Sequence, residues 1–403
     1  MANDLNFTQA ATILNEIQQQ ATGQKSIAPV DTSTFVTSAQ TALKTGYDPI
    51  LNAISQVLSR TIFSARPYRR KFGGIEVNQQ TYGNRVRKLS IADTPLVDDD
   101  RYTWPVGYQT GKTPPNGDGK SVDMYIQRKP QILETNFYGA NVWEDYYTIY
   151  KDQLDVAFTT PDEFSLFISM VMTNASDKLE QVRENVARAT VANHIGAIIS
   201  EGQNTRVIHL LAEYKAQTGL TDLTAQSIYQ PANFRPFMQW VFARISSICS
   251  LMTERSQMFQ TVVNGMPVLR HTPLEDQKVY LYAPARYQSE TMAIADTFHD
   301  NYLRFADNET VNFWQNIETP DSINVKPTYI GPTGKIVVPE ANVEKAGVFG
   351  IIFDRDALGY TTMAQWQQPT PFNSRGGYTT VWMHETQRSW SDLTEKAVVL
   401  LLD

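Results

Sequence analysis

The sequence predicts an α+β fold built from several packed units. Three observations carry that reading. Residues 162–199 hold one unbroken helical stripe, alternating strand patterns flank it on both sides, and Val398–Leu402 is apolar without interruption. A free terminus frays in water, so an end this apolar must be buried in a sheet or against a neighbour. At 403 residues and 42% hydrophobic content, the chain exceeds one small core and should form two or three units. Aromatic residues at 11% favour broad sheet faces and contact surfaces.

Residues 1–60 read as an arm. Short helical patterns at Ala10–Gln20 and Pro49–Ser59 are joined by a polar segment through Thr32–Thr45. Arms of this kind gain order by lying on something else. Residues 61–135 read as an extended two-stranded hairpin. Alternation runs through Gly74–Asn78 and Asn84–Ile91 and resumes at Ser121–Gln127, with Asp98-Asp99-Asp100, Pro105, Pro114-Pro115 and Gly119 between. A lone hairpin is marginally stable in water and needs a partner surface.

Residues 136–225 centre on the long helix. Pro161 stands at its start and Asp162 and Glu163 fall in its first turn, as helix entry prefers. Its stripe passes through Phe164, Ile168, Val171, Ala175, Leu179, Val182, Val186 and Ala189, always three or four residues apart. Such a helix spans about 50 Å, and no heptad pattern continues beyond it. A spine laid across a sheet fits it better than a coiled coil. Residues 226–345 read as an α/β unit, with a helix at Pro236–Phe259, a strand at Lys278–Ala283 stopped by Pro284, and a helix at Ala285–Ala295. Residues 346–403 return to strands, broken by the charged turn Asp354-Arg355-Asp356.

Chemistry is sparse. The single cysteine, Cys249, excludes a disulfide framework and reads as core packing inside an apolar helix. The five histidines are scattered, with none read as having a Cys, His or carboxylate at metal-ligand spacing, and His194, late in the spine helix, reads as a capping or surface residue. No Gly-x-Ser-x-Gly elbow is present. Gly107-Tyr-Gln-Thr-Gly111-Lys112-Thr113 falls one residue short of a phosphate-binding loop, and Pro114-Pro115 follows where that loop needs a helix. Asp98, Asp99 and Asp100 lack the interleaved ligands of a calcium loop. No catalytic, cofactor or metal site is expected. The N-terminus lacks a signal-peptide pattern and no apolar window spans a membrane, so we expect a protein made in the cytoplasm and not exported by these routes.

A net charge of −7 argues against gripping nucleic acid as the main task. Charge is nevertheless segregated. Arg60, Arg66, Arg69, Arg70, Lys71, Arg85, Arg87 and Lys88 face a single acid, Glu76, before Asp93 and Asp98–Asp100 take over. We read Arg66, Arg69, Arg70, Lys71, Arg85, Arg87, Lys88, Asp98, Asp99 and Asp100 as candidate contacts, basic part of one copy against acidic part of another. An ordinary solvated surface and contact with packaged nucleic acid stay open.

The order of parts (arm, hairpin, spine helix, α/β unit, returning strands) resembles the HK-97 fold of major capsid proteins from tailed double-stranded DNA bacteriophages. Asn264-Gly-Met-Pro-Val268 with Val279–Pro284 resembles that family's axial-domain loop and strand. Val348–Tyr360 and Ser391–Leu402 resemble its closing strands. The resemblance covers essentially the whole chain through weak local motifs. It implies residues 1–60 as N-terminal arm, 61–135 as E-loop, 136–225 as peripheral domain, 226–345 as axial domain and 346–403 as strands completing the sheets. It further implies self-assembly into hexamers and pentamers of an icosahedral shell in the host cytoplasm, with portal and scaffolding proteins and non-specifically held double-stranded DNA as partners. A lysine–asparagine crosslink known in some members has no identifiable pair here. A tail or connector component and an enzyme with an unfamiliar site are the alternatives.

Overall fold

The computed structural model describes residues 7–22, 31–44, 72–77, 85–94, 124–125, 127–203, 205–284 and 307–403. Two helices open the chain, α1 (Phe7–Thr22) and α2 (Thr32–Lys44). The second occupies the stretch expected to be a polar connector. Asp31 caps it reciprocally: the Thr34 amide donates to Asp31 Oδ1 at 2.8 Å, and the Asp31 amide donates to Thr34 Oγ1 at 3.0 Å. Phe35 and Ala39, one helical turn apart, are then both fully buried. Phe35 meets Phe164 edge-on at 5.8 Å. Packing outweighs the weak helix propensity of a Ser/Thr-rich stretch. The helical pattern at Pro49–Ser59 lies outside the described residues.

At Gly74–Asn78 the expected strand is replaced by a 3-10 turn, Gly73–Ile75, and a single bridge from Glu76 to Tyr360. A Cβ at Gly74 would stand 2.3 Å from Glu309 Oε1, so the Glu309 carboxylate would have to shift to admit a side chain there. The hairpin base follows as β1 (Arg85–Ile91) and β2 (Ile132–Tyr138), antiparallel from Arg85↔Tyr138 to Ile91↔Ile132. The return strand expected at Ser121–Gln127 lies further on, since Met124 and Tyr125 form an exposed turn there; the near phosphate-loop stretch lies outside the described residues. Then come β3 (Asn141–Tyr150), α3 (Lys151–Ala157) and the spine, α4 (Pro161–Glu201).

At 41 residues α4 runs roughly 60 Å. Thr160 accepts from the Glu163 amide at 3.2 Å, Pro161 fills the first helical position, and Gly202 at φ 70 closes the helix left-handed. The buried face of its C-terminal half differs from the stripe read in sequence. Ala187, Val191, Ile195 and Ile198 are buried, whereas Val182 and Val186 are half-buried and Ala189 is exposed. Spacings of three and four drift around a cylinder of 3.6 residues per turn, so one extrapolated stripe leaves the core after several turns.

Beyond α4 lie β4 (Val207–His209), α5 (Leu210–Thr218) and α6 (Pro231–Thr253). Helix α6 starts at Pro231, so Pro236 falls inside it rather than at its start. Next are β5 (Gln277–Tyr282), β6 (Asp307–Val311), β7 (Ile323–Val325), β8 (Tyr329–Ile330), β9 (Ile336–Val337) and β10 (Val343–Lys345). The chain closes with β11 (Val348–Asp354), β12 (Leu358–Pro369), β13 (Tyr378–Ser391) and β14 (Ala397–Leu401). The helix expected at Ala285–Ala295 lies outside the described residues.

Two sheets carry the body. A five-stranded mixed sheet has the order β4-β14-β11-β5-β6, and a three-stranded antiparallel sheet the order β12-β13-β3. The apolar end of the chain serves both sides of the first. Val399 and Leu401 face the core built on α4, while Val398 and Leu400 face the core built on α6 with Val241, Ile245 and Ile248. Strand alternation thus turns an apolar run into two half-cores, the pattern of a strand covered on both faces.

Candidate assembly surface

Alternation also divides the basic run of the hairpin. Arg85 and Arg87 point outward around Glu134, at 3.9 Å and 3.0 Å. Glu134 is held below the usual carboxylate range by Asn136 and then Arg87, both donating to it. Lys88 and Ser90 turn the other way. Lys88 Nζ lies 2.9 Å from Asp392 Oδ2 and 2.5 Å from Glu395 Oε1. Arg270 reaches Glu395 at 3.1 Å and donates to Ser90 Oγ at 2.6 Å. Lys88, expected on the contact surface, is therefore engaged inside its own chain, because it sits one position out of phase with the two arginines.

Two cations and two carboxylates from three separate segments fasten the hairpin base to the body. Burial opposes the Lys88 charge, but Asp392 and Glu395 hold its ammonium above the ordinary lysine value. Burial likewise opposes the Asp392 charge, yet Lys88 and the Thr394 amide keep it below the usual range. For Glu395 burial prevails and the carboxyl is pushed up.

A second polar junction ties the end of α4 to β14. The fully buried Arg206 donates to Glu201 at 2.7 Å, to Thr261 Oγ1 at 2.8 Å and to the Ala397 carbonyl at 3.3 Å. Burial lowers its pKa to about 10, partly offset by Glu201. His194 stands nearby. It is wholly buried rather than capping or solvated, and its Nδ1 lies 2.9 Å from Ser391 Oγ. Burial and then Arg206 lower its pKa to about 3, so the ring is neutral. Cys249 packs in the α6 core, where burial pushes the thiol up to about 11.

A cleft of about 590 Å³ opens between the hairpin base, α4 and β13, lined in part by Phe137, Val182, Val186, Ala189, Ile336 and Trp390. Its lining holds no Asp, Glu, Lys, Arg or Cys. Asn, Ser and Thr make up about half of that lining, and it brings together no set of convergent titratable groups. Among the described residues no cluster of three or more His, Cys, Asp or Glu could hold a metal, and no helix is long and apolar enough to cross a membrane.

A family model for Phi29-like phage major capsid proteins matches residues 11–401. The chain belongs to the Phi29-like phage major capsid proteins. No curated protein matches it by sequence. Solved structures similar to it include one titled the capsid structure of Staphylococcus phage Andhra, with 12% identity and a TM-score of 0.53 over 85% of this chain and 87% of that one. Another is titled the structure of head fiber and inner core protein gp22 of native bacteriophage P68, with 12% identity, a TM-score of 0.52 and the same coverage. At such identity they show the fold, which is HK-97-like.

The described elements are thus those of a capsid shell subunit, a component of the virion that associates with copies of itself. Of the residues singled out in sequence, Arg85 and Arg87 share one exposed patch of this capsid protein, and Lys88 belongs to the ion cluster behind it. Arg66, Arg69, Arg70, Lys71, Asp98, Asp99 and Asp100 lie outside the described residues. Sequence reading missed Arg270, Asp392 and Glu395. Their one signal was that Lys88 points to the covered side of an alternating strand and must meet opposite charge there.

Proposed function

We propose that this capsid protein assembles into hexamers and pentamers of an icosahedral shell enclosing double-stranded DNA. Assembly proceeds in the host cytoplasm, with separate scaffolding and portal proteins as partners. The observation that carries this reading is the β1–β2 ribbon, which joins neither body sheet. Such a ribbon gains stability from a neighbouring subunit. Head-to-tail contacts of this kind close into rings when the rotation permits. In this reading residues 61–135 are the E-loop, 136–225 the peripheral domain, 226–345 the axial domain and 346–403 the strands that complete both. Helices α1 and α2 of the 1–60 arm lie against the spine, as buried Ile13, Leu14, Ile17 and Phe35 support. Arg85 and Arg87 contact the next subunit, and acidic overall charge leaves DNA held by non-specific contact alone.

Negative-stain electron microscopy of the purified protein, with and without its scaffolding partner, tests this. Closed shells, tubes or hexamer sheets are expected. Uniform particles of one to four subunits under every condition would overturn the reading.

A further inference from the structure

The turn that joins β13 to β14, residues 392–396, lies inside the molecule. Connections between strands ordinarily run over the surface, where water serves their polar groups. Asp392, Leu393, Thr394, Glu395 and Lys396 are instead each 5% exposed or less. Buried charges need partners, and these reach the turn from several segments. Lys88 of the hairpin meets Asp392 and Glu395, and Arg270 meets Glu395. Lys396 Nζ donates to the Glu254 carbonyl at 2.6 Å and to Ser256 Oγ at 3.2 Å. The Asp392 amide donates to the Ala357 carbonyl at 2.7 Å, and the Leu393 carbonyl accepts from the Thr261 amide at 2.8 Å.

Both ends of this turn also belong to the junction at the end of α4. Ser391 Oγ stands 2.9 Å from His194 Nδ1, and the Ala397 carbonyl accepts from Arg206 Nε at 3.3 Å. Thr261 bridges the two sides, since its amide serves Leu393 while its hydroxyl accepts from Arg206 and donates to Glu201. Charge links them as well. At Arg206 burial lowers the pKa, and Glu201 and then Asp392 oppose the fall. At His194 burial and then Arg206 lower it, and Asp392 opposes them. One carboxylate thus acts on a cation of the hairpin and on two groups of the α4 junction. Polar groups satisfied through shared partners do not fail one at a time. We propose that the β13–β14 turn couples the hairpin base to the C-terminal end of α4, so that loosening either one loosens the other. The coupling lies within one chain and holds whether or not shells form. Within the shell reading, a neighbour that holds the hairpin also tightens the end of α4.

Hydrogen exchange on the full, unassembled chain tests this. Ser391→Ala removes the hydroxyl that meets His194 and no charge. A neutral hydrogen bond corresponds to roughly threefold to tenfold in an opening equilibrium, so amides of Ile132–Tyr138 should exchange faster by about that factor. Coupling is reciprocal, so Lys88→Met should quicken the amides of Ala197–Glu201, at the end of α4. Thr148→Val, which removes the Thr148–Thr380 hydroxyl bond near the start of β13, should leave both segments at the wild-type rate. In the double variant, Ser391→Ala with Lys88→Met, the acceleration at Ile132–Tyr138 should fall short of the product of the single effects. Wild-type rates at Ile132–Tyr138 in Ser391→Ala, equal acceleration in Thr148→Val, or factors that simply multiply in the double variant would overturn the coupling and leave two independent junctions. So would wild-type exchange at Ala197–Glu201 in Lys88→Met, a readout that does not depend on Ser391→Ala folding.

Discussion

Replacing Lys88 with methionine removes one charge from the cluster at the hairpin base while keeping the length of the side chain. Breaking a buried ion pair from one side commonly costs about 3–5 kcal/mol, because the partner charge stays behind. The structure lowers that figure here. Lys88 keeps 20% of its side chain exposed, Arg270 still holds Glu395 at 3.1 Å, and the Thr394 amide still donates to Asp392 at 2.9 Å. We therefore expect about 2–3 kcal/mol, concentrated in opening of the hairpin base. Hydrogen exchange on the unassembled protein reads this directly. Amides of Ile132–Tyr138 should exchange roughly 30–150-fold faster in the variant, since 1.4 kcal/mol is about tenfold. Those of Val348–Asp354 should be unchanged. Acid should abolish the difference in a defined order. Glu395 takes its proton first, above the ordinary glutamate value, and because its folded pKa is raised this relieves a cost. Asp392, with its folded pKa depressed, loses its contribution only as pH falls below the ordinary aspartate value and through the folded one. Equal exchange in Lys88→Met and wild type at neutral pH would refute the latch.

Three further outcomes are expected. Arg85→Glu with Arg87→Glu should block shell formation in electron microscopy and shift the melting temperature by no more than a few degrees, as both side chains are exposed; normal shells would remove them from the interface. Arg206→Met should destabilise the unassembled protein by about 3–5 kcal/mol in urea unfolding, because Glu201 is left buried without its cation. His194→Gln should flatten the acid side of the stability profile. The wild-type ring is neutral when folded, with a pKa of about 3, and titrates near 6.5 when unfolded, so wild-type stability falls from about pH 6.5 downward by about 2 kcal/mol at pH 5. A variant with the wild-type slope would show that the ring is not responsible.

What sequence made visible was local. Pro161, Asp162 and Glu163 announced the start of α4, and the apolar run at 398–402 announced a buried end, though not that both its faces would be covered. Helix α2 was hidden because its Ser and Thr residues are poor helix formers, and only docking of Phe35 on Phe164 reveals why it forms. The covered face of α4 was hidden because it is set by which side the two sheets approach. Lys88 read as a surface charge because its partners, Asp392 and Glu395, stand far along the chain. Polar contacts across such separations leave no periodic trace.

The place of β14 has a consequence for when a subunit becomes competent. It inserts between β4 and β11, and its alternate residues finish the α4 core on one side and the α6 core on the other. It also follows every other described strand in chain order. At synthesis rates of about 5–20 residues per second, the earlier strands spend tens of seconds with both half-cores open. Neither closes until β14 arrives. Asp392 and Glu395, which fix the hairpin base, come only just before it. A chain made only as far as β13 therefore has both half-cores open and lacks Asp392 and Glu395, the two carboxylates that fix the hairpin base.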